Sequence, residues 1–147
     1  MVLHFIFVGK TKDSWLQEGM KIFEKRLKKH VSYTIDEVKD CGERGEEKEK
    51  EKIISAMKSG VSYYLLDVKG KQISSHDFAK LFQKEQEKTG KVGFIIAGAY
   101  GASTSLIEKY PLLSFSNMTF THQMLRPFVL EQVYRAFEIL KGSDYHK

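Results

Sequence analysis

The apolar positions of this chain fall into short β-rich runs separated by stretches with helical spacing. Four runs predict strands at residues 2–8, 31–38, 62–68 and 91–98, and a short apolar segment interrupted by Ser and Asn follows at 112–121. The first run, VLHFIFV, is continuously β-rich, which is typical of a strand buried on both faces. Strands that alternate with helices predict an α/β fold with a mainly parallel sheet, formed as one domain over residues 1–147.

Helical spacing predicts a helix after each of the first and third strands. The first begins at Asp13 or Ser14 and is expected to carry five apolar side chains toward the core: Trp15, Leu16, Met20, Phe23 and Leu27. The helix after the third strand is expected to point Phe78, Leu81 and Phe82 inward. Between them, the charge run at 42–60 predicts a solvated helical face, with Glu46 and Lys50 as an i,i+4 ion pair.

The last helix has the widest apolar stripe of the chain: Met124, Leu125, Phe128, Val129, Val133, Ala136, Phe137 and Leu140. Proline is tolerated in the first turn of a helix, so Pro127 predicts a start near Arg126. The helix is expected to end at Lys141, before Gly142. The width of the stripe fits an ordinary core helix and a helix that also packs against a second copy of the chain, and the pattern leaves both open.

Composition narrows the class of protein without naming a function. The 147 residues have a net charge of +5, which permits a polyanionic partner but does not require one. No apolar run is long enough to span a bilayer, and MVLHFIFVGK predicts a buried strand and not a signal peptide. The single cysteine, Cys41, predicts a reducing cytoplasm, and the five scattered histidines predict no metal site.

Two loops that follow predicted strands are candidates for ligand binding. FIIAGAYGAS (94–103) places glycines directly after a buried strand, and Leu66 and Asp67 end the strand before it. Ligands of α/β proteins bind at such carboxyl ends. The dinucleotide motif, the P-loop and the G-x-S-x-G elbow are all absent. The sequence pattern therefore leaves both a ligand loop and a plain strand-to-helix turn open for these glycines, with the plain turn favoured.

The C-terminal block LSFSNMTFTHQMLRPFVLEQVYRAFEILKGSDYHK adds a resemblance to a known family. Together with FVGK, LLDVKGK and FIIAGAYG, it resembles the ribosomal RNA large subunit methyltransferase H family, which belongs to the SPOUT class. The resemblance implies a SPOUT-type sheet flanked by helices with a C-terminal trefoil knot, a homodimer and S-adenosylmethionine as methyl donor. It also implies methylation at N3 of a pseudouridine in 23S ribosomal RNA of the assembled ribosome.

The same resemblance implies a set of residues that bind the methyl donor. They are Leu66, Ala97, Gly98, Phe115, Ser116, Asn117, Met118, Thr119 and Phe120. This chain departs from the family pattern at three positions: Ala97 replaces a usual glycine, Pro127 replaces an aliphatic residue, and Asp144 replaces a common proline.

Catalytic residues are expected at the C-terminal end. We predict that His146 accepts a proton, that Arg126 stabilises negative charge, and that Tyr145 stacks on the target base. Lys147, His122 and Arg135 are predicted to bind substrate. Helix capping or packing is the alternative for His122, and Arg135 is also placed to serve a dimer contact.

A structural role is predicted for Glu131, which is spaced to pair with Arg135 one turn along the helix. Basic residues near the first helix offer phosphate contacts or a merely solvated face: Lys10, Lys12, Lys21, Lys25, Arg26, Lys28 and Lys29. Two other functions stay open: a SPOUT methyltransferase acting on transfer RNA or another ribosomal site, and a ribosome-binding protein without catalysis.

Overall fold

The computed structural model describes residues 1–147 as five strands and five helices. In chain order these are β1 (Val2–Val8), α1 (Ser14–Leu27), β2 (Ser32–Val38), α2 (Glu46–Ala56), β3 (Ser62–Gln72), α3 (Ser75–Lys88), β4 (Lys91–Ile96), α4 (Thr104–Lys109), β5 (Leu112–Ser114) and α5 (His122–Lys141). The strands form one sheet in the order β2-β1-β4-β3-β5, and every pair is parallel. The predicted α/β architecture with a parallel sheet is confirmed.

Helices cover both faces of the sheet. On one face α1, α3 and α5 pack over Leu3, Phe5 and Phe7 of β1, and on the other α2 and α4 pack over Ile6 and Val8. This explains why β1 carries apolar residues at successive positions, because both sets of its alternating side chains are buried. No helix has the length and apolar character needed to cross a membrane.

Two helix predictions were wrong, and one short helix was not predicted. Trp15 is 58% exposed, because it lies on the flank of α1 beside the buried Leu16. Lys50 pairs with Glu47 and not with Glu46. The six-residue helix α4 was not predicted, because a segment of about one and a half turns is too short to show a helical period of apolar residues.

The start of α5 also differs from the prediction. The helix begins at His122, one turn before Arg126, and Thr121 caps it by accepting the Met124 N–H at 3.2 Å. Pro127 therefore lies in the second turn, where it removes the bond that an N–H would make to the Gln123 carbonyl. The predicted end is confirmed, because Gly142 adopts a left-handed conformation with φ of 72°.

A buried polar network crosses the α2 face of the sheet at Gly93. His4 Nδ1 lies 2.6 Å from the hydroxyl of Tyr63, and His4 Nε2 lies 2.8 Å from a carboxylate oxygen of Asp36. Gly93 pairs with His4 on one side and with Tyr63 on the other. Because Gly93 has no side chain, the Tyr63 ring can lie across β4 and reach His4.

Replacing Gly93 by alanine should destabilise the fold. A Cβ at this position would lie 2.2 Å from two carbons of the Tyr63 ring, so the ring must move and its bond to His4 is lost. We expect the free energy of unfolding to fall by about 1–3 kcal/mol in urea titrations. Gly19→Ala is the matched control, because its nearest neighbour is a Pro127 carbon at 4.0 Å and alanine favours the helix interior. Equal stability of Gly93→Ala and the wild type would contradict the packing described.

Candidate active site

A cavity of about 810 Å³ opens at the carboxyl ends of β3, β4 and β5. Its floor is formed by the strand ends, and its walls by the start of α1, the segment after β5 and the first turn of α5. The lining residues are Asp13, Trp15, Leu16, Leu66, Asp67, Val68, Ile96, Ala97, Gly98, Ala99, Gly101, Leu113, Ser114, Phe115, Ser116, Met118, Thr119, Phe120, Thr121, His122, Gln123, Met124 and Leu125. We call this the donor cavity, after the methyl donor that the family resemblance implies. Its volume lies within the range of roughly 300–1,000 Å³ of small-molecule sites.

An irregularity in β3 shapes one wall of the donor cavity. Leu113 of β5 pairs with Leu66 and then with Lys71, so residues 67–70 leave the ladder. Gly70 allows this crossing, because a Cβ there would lie 2.7 Å from the Leu113 backbone. The displaced segment brings Asp67 to the cavity, where its carboxylate accepts the Lys69 N–H at 2.8 Å.

Every predicted donor-binding residue except Asn117 lines this cavity. Leu66, Ala97 and Gly98 are buried at the floor. Met118 and Phe120 are 73% and 37% exposed and stand at the mouth. Asn117 is exposed and does not line the cavity. The structure thus gathers residues from three separate parts of the chain around one space, while their binding role stays a prediction.

A buried carboxyl group lies behind the glycine loop. Glu49 of α2 is 4% exposed and accepts the Cys41 N–H at 2.9 Å. Its other oxygen would lie 3.2 Å from a Cβ built on Gly98, so the loop and the carboxyl group are in close contact. Burial raises the pKa of Glu49, with a further increase from the nearby charge of Asp40.

The raised pKa of Glu49 predicts a pH dependence of stability. The folded chain holds this proton more tightly than the unfolded chain, so its contribution is present below the ordinary glutamate pKa and is lost as pH rises through the raised pKa. Glu49→Gln keeps an oxygen for the Cys41 N–H. It should flatten the pH dependence of the thermal unfolding temperature between the ordinary and the raised pKa of the carboxyl group. Glu51→Gln, on the exposed side of α2, should leave the profile unchanged. An identical profile for Glu49→Gln and the wild type would refute the assignment.

Arg126, which was predicted to stabilise negative charge in the reaction, lies in the interior of the fold. Its side chain is fully buried and does not line the donor cavity. The guanidinium donates to the Val8 carbonyl at 2.6 Å and to the Thr11 hydroxyl at 2.8 Å, and it lies over the Phe7 ring. The group is enclosed between α5 and the end of β1, and its catalytic role stays a prediction. Its helical spacing with Val129, Leu130 and Val133 is the signal that could have predicted this.

His122 and the tail residues lie in different places. His122 lines the donor cavity at the start of α5, and burial lowers its pKa, as does the positive charge of Arg126. Tyr145, His146 and Lys147 do not line the cavity. The Tyr145 hydroxyl donates to Glu131 at 3.0 Å, and burial and this hydrogen bond raise the pKa of Tyr145.

Arg135 holds the tail against α5. It donates to a Glu131 oxygen at 2.8 Å and 3.0 Å, which confirms the predicted pair one turn apart. Its third nitrogen lies 3.0 Å from His146 Nδ1, and its guanidinium lies over the Tyr145 ring. Arg135 is therefore an anchor for the tail as well as a predicted substrate contact.

A second set of bonds fixes the turn between α5 and the tail. The Ser143 hydroxyl donates to Glu138 at 2.5 Å and accepts the Tyr145 N–H at 3.3 Å. His30 lies 3.1 Å from the same carboxylate. These contacts hold the chain around Asp144, where related sequences were expected to have proline.

Some cavity residues were not expected from the sequence. From the sequence, Asp13 was placed only as a helix cap, and Trp15 and Met124 only as apolar helix positions. Gln123 had no predicted role, although all four line the cavity. Gln123 donates to the Lys10 carbonyl at 2.9 Å and so ties α5 to the chain before α1. No local pattern signals this contact, because the two residues lie 113 positions apart.

Comparison with known proteins identifies the relatives of this fold. The family model described as "Predicted SPOUT methyltransferase" matches residues 1–146. The chain is 40% identical, over 100% of both chains, to the ribosomal RNA large subunit methyltransferase H of Halothermothrix orenii. It is 37% identical, over 99% of both chains, to the protein of the same name from Trichlorobacter lovleyi.

A solved structure described as giving structural insights into the 2-OH methylation of C/U34 on tRNA matches with a TM-score of 0.50. The alignment covers 96% of this chain and 97% of the other at 9% identity, so it supports the fold alone. The match of the family model to nearly the whole chain, and the full-length identity to its relatives, lead to one conclusion. This chain belongs to the SPOUT methyltransferase family.

Proposed function

We propose that this chain transfers the methyl group of S-adenosylmethionine to N3 of a pseudouridine in 23S ribosomal RNA of the assembled ribosome. The observation that carries the proposal is the donor cavity, which gathers the expected binding residues at the strand ends. Relatives that align over nearly their full length and are named ribosomal RNA large subunit methyltransferase H support the choice of substrate.

The donor cavity has the chemistry to hold a sulfonium nucleoside. Leu66, Phe115 and Leu125 offer apolar walls for the adenine ring, while Asp67 and Ser116 offer oxygen atoms for hydroxyl or amino groups. Ala97 lines the floor, where its methyl group takes the place of a hydrogen of the usual glycine. When bound, the donor supplies a methyl group that is already activated by the positive charge on sulfur, so the protein mainly orients the acceptor and excludes water.

The tail is proposed to act on the acceptor nitrogen. The ring nitrogen forms a bond to the methyl carbon, the carbon–sulfur bond breaks toward sulfur, and the ring N–H proton must leave. His146 is our candidate to take that proton, and Lys147 to stabilise the negative charge that develops. Tyr145 packs beside them at a ring-centroid distance of 4.8 Å from Tyr134.

We include a homodimer and the C-terminal knot in the proposal. Two large apolar side chains spaced seven residues apart on α1, Trp15 and Ile22, are 58% and 53% exposed. Such a stripe fits contact with a second copy of the chain. The tail of either protomer is then a candidate to serve a given donor cavity.

Methyl incorporation tests this function directly. Purified protein with tritiated S-adenosylmethionine should label 23S RNA in ribosomes from cells that lack the gene, and the label should weaken at high salt because exposed lysines such as Lys21, Lys25 and Lys28 contact phosphates. Transfer RNA should remain unlabelled. Labelling of transfer RNA instead would support the other SPOUT reading, and absence of both labelling and donor binding in calorimetry would leave a binding protein without catalysis.

A further inference from the structure

A second cleft adjoins the donor cavity on the side of the tail. Its volume is about 400 Å³, and it is lined by Ile73, Ser75, Phe115, Ser116, Phe120, Phe128, Glu131 and Gln132. Phe115, Ser116 and Phe120 line both spaces. A molecule in this cleft therefore shares a wall with a molecule in the donor cavity, and we call it the acceptor cleft.

The aromatic walls of the acceptor cleft suit a flat ring. Phe120 and Phe128 pack edge to face with ring centroids 5.4 Å apart, and Phe120 remains 37% exposed. Phe128 and Phe115 are half-buried, so each presents part of its ring to the cleft. Stacking on such rings contributes about 1–3 kcal/mol per nucleic-acid base.

The polar wall of the acceptor cleft is connected to the tail. The Ser75 hydroxyl donates to Gln132 at 2.7 Å, and the Gln132 amide donates to Glu131 at 2.6 Å. The other oxygen of Glu131 accepts the Tyr145 hydroxyl and the Arg135 guanidinium. One continuous network thus runs from the start of α3, through the cleft, to the end of the chain.

We propose that the acceptor cleft binds the base that receives the methyl group, with Glu131 as the hydrogen-bond acceptor for its ring N–H at N1, so that N3 faces the methyl donor and its proton is left for His146. The inference rests on the proposed function and adds the place and the residues of substrate binding. The Glu131 oxygen that accepts only from Gln132 has a lone pair to spare, and the Gln132 amide and Ser116 hydroxyl supply donors beside it. This pattern complements the edge of a pseudouridine on which the N1–H lies beside the C2 carbonyl group.

Filling the acceptor cleft without touching the donor cavity tests the proposal. Ser75 lines the cleft and not the donor cavity, so Ser75→Trp occupies the space intended for the base. We expect kcat/KM for ribosomes to fall about a hundredfold or more, since even small misplacement of reacting groups has effects of that size. The Kd for S-adenosylmethionine, from calorimetry, should stay within about twofold of the wild type.

Two further variants keep the test decisive. Lys80→Trp places the same bulk on the exposed side of α3 and should behave as the wild type. Gln132→Leu removes hydrogen-bonding groups at similar volume and should raise the KM for ribosomes about tenfold, which decides the matter if Ser75→Trp does not fold.

The outcomes separate this inference from the proposed function. A wild-type chain that binds no donor and methylates no ribosomes overturns the proposed function. A wild type that methylates ribosomes, alongside a folded Ser75→Trp or Gln132→Leu of equal activity, overturns the acceptor cleft alone.

Discussion

Replacing His146 by alanine should lower methyl transfer to ribosomes by about a hundredfold to ten-thousandfold, the usual range for loss of a proton-transferring group, and Tyr145→Ala should lower it by about tenfold to a hundredfold through lost stacking on the base. Neither side chain lines the donor cavity, so calorimetry should give a Kd for S-adenosylmethionine close to that of the wild type. The reason is geometric. The tail contacts Glu131 and Arg135, and Glu131 lines the cleft next to that cavity.

Asp144→Ala is the matched control for the tail. Asp144 is exposed and belongs to the same tail, between Ser143 and Tyr145. Tyr145→Phe isolates the hydroxyl that donates to Glu131 and should retain more activity than Tyr145→Ala. Undiminished turnover by both alanine variants would remove the tail from the reaction.

Replacing Arg126 by alanine should lower the free energy of unfolding by about 2–4 kcal/mol in urea titrations, because packing is lost and buried polar groups are left unpaired. The substitution empties a large buried volume and leaves the Val8 carbonyl and the Thr11 hydroxyl without their donor. Burial lowers the pKa of Arg126, and its Nε has no hydrogen-bond partner, so the charge itself is held at a cost.

Arg126→Met separates a structural role from a catalytic one. Methionine restores most of the volume but, like alanine, supplies no donor for the Val8 carbonyl and the Thr11 hydroxyl, so Arg126→Met should be more stable than Arg126→Ala and less stable than the wild type. If Arg126 serves only the fold, the methionine variant should keep most of its methyl transfer at a temperature where it is folded. A folded Arg126→Met with activity reduced more than a hundredfold would instead restore the catalytic role expected from the sequence.

The sheet was predictable because its strands carry strong patterns. The run at 2–8 is apolar except for His4, and the structure buries both faces of β1. The end of the last helix was equally clear, since Gly142 takes a left-handed conformation that glycine adopts readily. The grouping of Leu66, Gly98 and Ser116 came from the family resemblance, because they lie far apart along the chain.

The errors came from contacts that no local pattern reports. Pro127 suggested a late helix start, but the Thr121 cap places the first turn earlier. Glu49 was hidden in a charge run, and only its spacing of four residues from the buried Ile53 indicates the buried face. The chain of contacts from Ser75 through Gln132 to Tyr145 joins residues far apart in sequence, so it emerged only from the folded structure.

The most direct test of this account is nucleoside mass spectrometry of 23S RNA from cells with and without the gene. We expect one methylated pseudouridine to be present in the parent, absent in the deletion strain, and restored by the wild-type chain but not by His146→Ala. An unchanged set of methylated nucleosides in the 23S RNA of the deletion strain would contradict the account.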